Sequence, residues 1–303
     1  MVQPGARFLV ALAMSAPAFL GCSSDPEPSA ERVRGPGAAR GGDEITPPPP
    51  AASLDGGPGT PGTSTDGGTT TSPSNGADKP RCKYAAHKTG LTPLTRAGGL
   101  AFTVYAPATY DPARGHGVVI LMHGQDSDGV GELTTLWKPI ADAESLVLVA
   151  PRGSRPATNG EPGRGNWATA DLAGVLDVMD DVDDCYHVLT KKHVLWGFSA
   201  GTFYGYLLGL GASTRFSALA MGAANTSFAR QNGLAPASAE WPIPVSHVHG
   251  AQDFNPIALT YRDRDDFQAA GHVFTLREHP GGHTITPAQV RTQYDDVAAS
   301  VSP

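Results

Sequence analysis

The chain of 303 residues carries 22 Lys and Arg against 29 Asp and Glu, a formal net charge of −7, and its basic residues form no run. That balance excludes a nucleic-acid-binding role, which needs a basic face. Composition shifts sharply along the chain, so the folded part has to be located before the length is divided into domains.

Residues 1–22 open with Arg7 as their lone charge, continue through the apolar stretches Phe8 to Met14 and Ala16 to Leu20, and close at Gly21-Cys22. That is the shape of a secretory signal. Interrupted by Pro17, the stretch is shorter than the ~20 residues a spanning helix needs, and it is read as cleaved. The ending Phe19-Leu20-Gly21-Cys22 resembles a bacterial lipobox, with Phe19 standing where Leu is usual. The resemblance implies that Cys22 is lipidated, becomes the new N-terminus and is the chain's only link to a membrane; ordinary cleavage with secretion is the alternative. Residues 23–79 are Pro, Gly, Ser, Thr, Ala and Asp with almost no large apolar side chains, as in Pro47 to Pro50 and Gly67 to Ser72. Such a segment cannot offset the entropy of ordering and is read as a tether. The folded domain is then 80–303, long enough for one full core.

With Cys22 lipidated, Cys82 and Cys185 remain as an even pair in an oxidising compartment, which predicts a disulfide between them; two free thiols are the alternative.

From residue 100 onward short apolar runs alternate with stretches of helical period, the pattern of an α/β fold with a mostly parallel sheet flanked by helices. Strands are predicted at 101–105, 117–122, 146–150, 193–197, 218–221, 245–249 and 272–276. Gly153 to Gly165 is rich in Gly, Pro and Arg and reads as a surface loop near the site, with Arg152, Arg155 and Arg164 as solvated side chains or as contacts for an acidic substrate. Leu172, Val175, Leu176, Met179 and Val182 recur at helix spacing, predicting a helix over 168–185 with Asp177, Asp180, Asp181 and Asp183 on its remaining faces. A second helix, 200–210, places Gly201, Gly205 and Gly209 four residues apart, for close packing on a strand. Asp263, Asp265 and Asp266 fall on a helix as a solvated charged face, and a last helix over 287–301 starts with Thr286 as N-cap and Pro287 behind it.

Chemistry concentrates where these strands end. Gly197-Phe198-Ser199-Ala200-Gly201 is G-x-S-x-G between an apolar strand and an apolar helix, the spacing that presents a serine on a strained strand-to-helix turn. A serine nucleophile needs a base and the base an orienting acid, in the chain order Ser, Asp or Glu, His on this architecture. Asp253, in the loop after the strand ending at His249-Gly250, and His283, in the glycine-rich loop Pro280 to Thr284, supply them. His247 and His249 lie within the strand and are read as polar core; His272 and His279 belong to the next strand and its edge. The amide of Ala200, at a helix N-terminus, is one donor for an oxyanion. The strand ending His123-Gly124-Gln125 resembles the oxyanion loop of esterases and lipases. That resemblance implies the amide of Gln125 as second donor, with His123 and Gly124 supporting the loop.

Taken together, Tyr105-Ala106-Pro107, His123-Gly124, Asn166-Trp167, Cys185, Gly197 to Gly201, His249-Gly250 with Asp253, and Gly282-His283-Thr284 resemble the secreted poly(3-hydroxybutyrate) depolymerase and feruloyl or acetylxylan esterase type of α/β hydrolase over most of residues 100–290. The resemblance implies a secreted or envelope-anchored serine esterase acting on acetyl, feruloyl or hydroxyalkanoate esters without metal or organic cofactor, and it offers Trp167 for the cleft, core being the other reading. Two departures leave the substrate open: the Trp that often follows the histidine is missing from His283-Thr284-Ile285, and Thr202 stands where a second glycine is usual. A serine peptidase on the same fold and a non-catalytic surface binding protein are the alternatives.

Overall fold

The computed structural model describes residues 82–84, 88–97, 99–189 and 192–300. The signal segment, Cys22 and the tether lie outside them. Ten strands are described: β1 Gly90–Thr95, β2 Ala101–Ala106, β3 Val118–Met122, β4 Val147–Pro151, β5 Arg155–Pro156, β6 Gly165–Asn166, β7 His193–Phe198, β8 Phe216–Gly222, β9 Val245–Gly250 and β10 Phe274–His279. Eight of them form one sheet in the order β1-β2-β4-β3-β7-β8-β9-β10; β5 and β6 make a separate hairpin. From β4 to β10 every pairing is parallel, and β1 and β2 add antiparallel at one edge.

The helices are α1 Val130–Glu132, continued by a π-helical turn Leu133–Trp137 into α2 Lys138–Glu144, then α3 Asp171–Cys185, α4 Ala200–Gly211, α5 Ser227–Gln231, α6 Ile257–Ala269 and α7 Pro287–Val297. Continuous apolar runs such as Val118 to Met122, buried at every position, are what a parallel strand covered on both faces requires. Alternate side chains separate cleanly. Val118, Ile120, Met122, Leu195 and Leu219 pack with Val175 and Met179 of α3, Leu208 of α4 and Phe267 of α6. Val119, Leu121, Val194, Trp196 and Ala218 pack with Leu133, Trp137 and Ile140 and with Val290 and Tyr294 of α7.

The predicted elements are present with small changes of boundary. Helix α3 starts at Asp171 rather than 168, because the Asp171 carboxylate accepts the amides of Ala168 at 2.7 Å and Ser154 at 3.0 Å and closes a turn there. Helix α7 ends at Val297 and passes into a 3₁₀ turn, Ala298–Ser300. Its N-cap is as expected: Thr286 Oγ1 accepts from the Gln289 amide, and the Gln289 side chain accepts the Thr286 amide at 2.8 Å. Asp263, expected on a solvated face, is instead buried, and so are Asp181 and Asp183 on the remaining faces of α3. Asp181 and Asp183 are 5% exposed and Asp263 1%, each held by residues outside its own helix: Lys83, Tyr84 and Arg96 for Asp181, His193 for Asp183, and the Thr226 amide and hydroxyl for Asp263.

Cys82 and Cys185 form a disulfide across 103 residues of sequence, and the ion pairs of Lys83 and Arg96 with Asp181 fasten the same segment to α3. Closing so long a loop restricts the unfolded chain. Replacing both cysteines by serine is expected to lower stability by about 2–4 kcal/mol, or about 5–15 °C in Tm, measured by calorimetry on oxidised protein. No helix among the described residues is long and apolar enough to cross a membrane.

Candidate active site

Four parallel strands deliver the site from their C-terminal ends, where ligands bind in open α/β sheets. β7 leads into Ser199, β3 into His123 to Gln125, β9 into Asp253 and β10 into His283. Ser199 has φ 55° and ψ −118°, a conformation costing about 1–3 kcal/mol for a residue with a Cβ. The turn is this tight because two backbones cross at the glycines. A Cβ on Gly201 would run into the Met122 carbonyl, and one on Gly197 would lie 2.5 Å from the Gly201 carbonyl oxygen. Thr202, the departure from the expected glycine, is fully buried and braces the turn: its hydroxyl lies 2.8 Å from the Gly197 carbonyl and 2.7 Å from that of Gly222, and it accepts the Gly222 amide at 3.0 Å.

The three residues expected to form the triad are brought together. Ser199 Oγ is 2.7 Å from His283 Nε2, and His283 Nδ1 is 2.9 Å from each carboxylate oxygen of Asp253. The Asp253 side chain is fully buried while that of His283 is 19% exposed, so the acid is dry and the imidazole reachable. Asp253 Oδ1 also accepts the Asn255 amide at 2.8 Å, and the Asn255 side chain donates to the Ala223 carbonyl at 2.8 Å. A geometry in which serine can pass its proton to a carboxylate-oriented imidazole supports nucleophilic acyl transfer.

His247 and His249 are fully buried, as read, and they form a chain that ends at this loop. The Asn255 carbonyl can only accept, so His249 Nε2 donates to it at 2.9 Å and His249 Nδ1 accepts. His249 Nδ1 faces two donors, the Thr260 hydroxyl at 3.0 Å and His247 Nε2 at 3.4 Å, and the Tyr206 hydroxyl donates to His247 Nδ1 at 2.8 Å. Burial pushes His247 down to about 3 and Tyr206 up, keeping both neutral.

The loop after β3 lies against the serine: a Cβ on Gly124 would lie 3.9 Å from that of Ser199. Within it the Gly124 amide donates to Glu132 at 3.3 Å and the Asp126 amide to Asn166 Oδ1 at 2.9 Å. Between them the Gln125 amide has no acceptor among the described residues, and neither has that of Ala200 at the start of α4. These are the two donors expected for an oxyanion. His123 is buried; its Nε2 accepts the Gly153 amide at 3.0 Å, so Nδ1 carries the hydrogen and donates to the Gly124 carbonyl at 2.6 Å. Burial lowers its pKa, so it stays neutral and shapes the loop.

Trp167 does not reach the cleft. It is 2% exposed, stacks on the His123 ring at 4.6 Å between centroids, and donates from Nε1 to the His123 carbonyl at 2.9 Å. Its bulk fills the space behind the loop. Glu132, Asp126, Thr158 and Asn166 were not singled out from sequence as loop anchors. Asp126, at φ 56°, accepts the Thr158 hydroxyl and amide and the Asn166 side chain, and is held down at about 2, chiefly by the Thr158 hydroxyl. The loop thus leans on the β5–β6 hairpin, which the predicted surface loop contains. Arg152, Arg155 and Arg164 share a cavity of about 260 Å³ beside that hairpin, whose walls include none of the triad. Phe254, also passed over in sequence, is 73% exposed with its ring centroid 4.1 Å from that of His283. No cluster of three or more His, Cys, Asp or Glu able to hold a metal occurs among the described residues.

The sheet, its flanking helices and the strand-end loops make up the α/β-hydrolase fold, which solved structures share. Esterase PE8 superposes with a TM-score of 0.52 at 19% identity, over 66% of this chain and 99% of that one. The S-formylglutathione hydrolase of Agrobacterium tumefaciens gives 0.51 at 15% identity, over 70% and 99%, and dipeptidyl peptidase 4 of Porphyromonas gingivalis 0.51 at 14%, over 69% and 36%. Residues 98–283 match the model of the Esterase family, described as "Putative esterase". The chain belongs to that family. The bifunctional acetylxylan esterase/xylanase XynS20E of Neocallimastix patriciarum is 28% identical over 197 residues, which is 61% of this chain and 27% of that protein, so the chain spans about a quarter of that relative's length.

Proposed function

We propose that the chain hydrolyses acyl esters of carbohydrates, acetyl esters first among them, through Ser199, His283 and Asp253. The observation that carries this is the unbroken line from Ser199 Oγ through the imidazole to a fully buried carboxylate, at 2.7 and 2.9 Å. Ser199 attacks the ester carbonyl as His283 Nε2 takes its proton; the oxyanion rests on the amides of Gln125 and Ala200. Collapse expels the alcohol, which receives the proton from His283. Water, activated by the same imidazole, then attacks the acyl-serine and releases the acid and the serine. The acetylxylan esterase relative supports the acetyl and sugar halves of this reading.

We infer also an exported enzyme held at the bacterial envelope by a lipid on Cys22 and a tether to residue 79. The Cys82–Cys185 disulfide supports an oxidising compartment.

The testing experiment offers the protein acetylated xylan, methyl ferulate, a 3-hydroxybutyrate oligomer and a dipeptidyl p-nitroanilide, with fluorophosphonate labelling alongside. Release of acetate at the highest kcat/KM, with labelling and no anilide cleavage, is the expected result. Anilide cleavage would make it a peptidase, and neither turnover nor labelling would make it a binding protein.

A further inference from the structure

A single exposed apolar side chain is ordinary on a protein surface, but one whose ring packs on the imidazole of the triad stands where a substrate has to pass. Phe254 is such a residue, the most exposed of the large apolar side chains described, at 73%. The turn that carries it has little freedom. Asp253 before it is fixed by His283 and by the Asn255 amide, and Asn255 after it is fixed to the Ala223 carbonyl and to His249. One ring face leans on the imidazole at 34° between planes; Phe198, on the same imidazole at 5.2 Å, is itself half-buried.

Chemistry says which half of an ester comes here. The amides of Gln125 and Ala200 fix the carbonyl oxygen and so the acyl group. The leaving oxygen has to come within reach of His283 Nε2, which returns the proton to it. A group packed on the imidazole and open to solvent therefore flanks the alcohol half of the substrate. The face of an aromatic ring carries partial negative charge and favours the polarised C–H groups of a flat saturated ring.

We propose that Phe254 forms a leaving-group subsite that takes the pyranose ring bearing the acyl group. This rests on the esterase reading above and adds to it a specificity-determining contact. Water is the second acceptor, so the subsite empties between the two half-reactions and acts on formation of the acyl-enzyme.

Two pairs of esters test it, each holding one half constant: ethyl acetate against a monoacetylated methyl β-D-xylopyranoside, and methyl acetate against methyl ferulate. For Phe254→Ala and Phe254→Leu the ratio of kcat/KM for the xyloside over ethyl acetate is expected to fall about five- to ten-fold, mostly through KM, the scale of a single aromatic contact. Phe254→Trp is expected to keep the ratio, and the ferulate-to-acetate ratio to move less than two-fold in all three. A leucine that restores the xyloside ratio would overturn the subsite, since covering the imidazole would then be enough. So would an equal fall in kcat for all four esters with a displaced pH profile, which marks shielding of the Asp253–His283 bond. A loss confined to methyl ferulate would place the ring on the acyl side and overturn the assignment. Wild-type protein inert on all four esters defeats the esterase reading, and the subsite with it.

Discussion

Ser199→Ala is expected to lower kcat on acetyl esters by about 10⁵- to 10⁶-fold and to abolish fluorophosphonate labelling, while the protein melts within about 2 °C of wild type. The reason lies in how little else the hydroxyl does. Among the described residues it bonds to His283 alone, and it makes no capping bond to the helix it begins. Alanine keeps the Cβ, so the strain at φ 55° is unchanged. Ser199→Gly, equally inactive, removes the Cβ from a conformation costing about 1–3 kcal/mol and returns part of that as unfolded-chain entropy; it should melt at or above the alanine variant. Activity assays paired with thermal melts of both variants separate nucleophile from scaffold. A residual rate within a hundred-fold of wild type would mean that another group attacks the ester.

That Ser199, His283 and Asp253 come together could be read in sequence because each stands at a place the backbone restricts. Gly197 and Gly201 could be interpreted since a side chain at either would strike backbone, and Asp253 and His283 because each lies in a short loop after a predicted strand. The same reasoning found the main strands and the helix faces.

What stayed hidden depends on partners in other elements of the fold. Asp183 and Asp263 have no local mark of burial; His193 and Thr226 meet them only after folding. Strand β1 contains Pro93 and faces solvent at alternate positions, as an edge strand can, so it gives no apolar run to notice. The helix from Val130 to Glu144 is broken by a π-helical turn and so departs from a clean 3.6-residue period. Trp167 could be weighed between cleft and core, but only its stacking on His123 decides for core. Phe254 reads in sequence as an ordinary apolar residue, and its exposure is set by the two hydrogen-bonded neighbours that hold its turn.

The acid provides the second large effect. Asp253→Asn is nearly isosteric, yet it is expected to lower kcat about 10⁴-fold, because the surrounding bonds decide which way the amide faces. The Asn255 amide can only donate, and it donates to Oδ1 of residue 253 at 2.8 Å; the new side chain therefore keeps its carbonyl oxygen there and puts its NH₂ where Oδ2 stood, so His283 Nδ1, 2.9 Å from both positions, loses one of its two acceptors and gains a donor in its place. In the tautomer this favours, Nδ1 accepts from the NH₂ and the hydrogen sits on Nε2, the nitrogen 2.7 Å from Ser199 Oγ. It then has no lone pair with which to take the serine proton. The loss should fall on kcat far more than on KM, since neither the oxyanion amides nor Phe254 is disturbed. Asp253→Ala, which leaves the tautomer free but the ring unanchored, should be no less damaging to the fold, because the Asn255 amide and His283 then lose a fully buried partner. Steady-state kinetics of the asparagine variant, with ¹⁵N chemical shifts of the His283 ring nitrogens, check both halves of the argument. An Nδ1–H tautomer retained together with a rate near wild type would remove Asp253 from the mechanism.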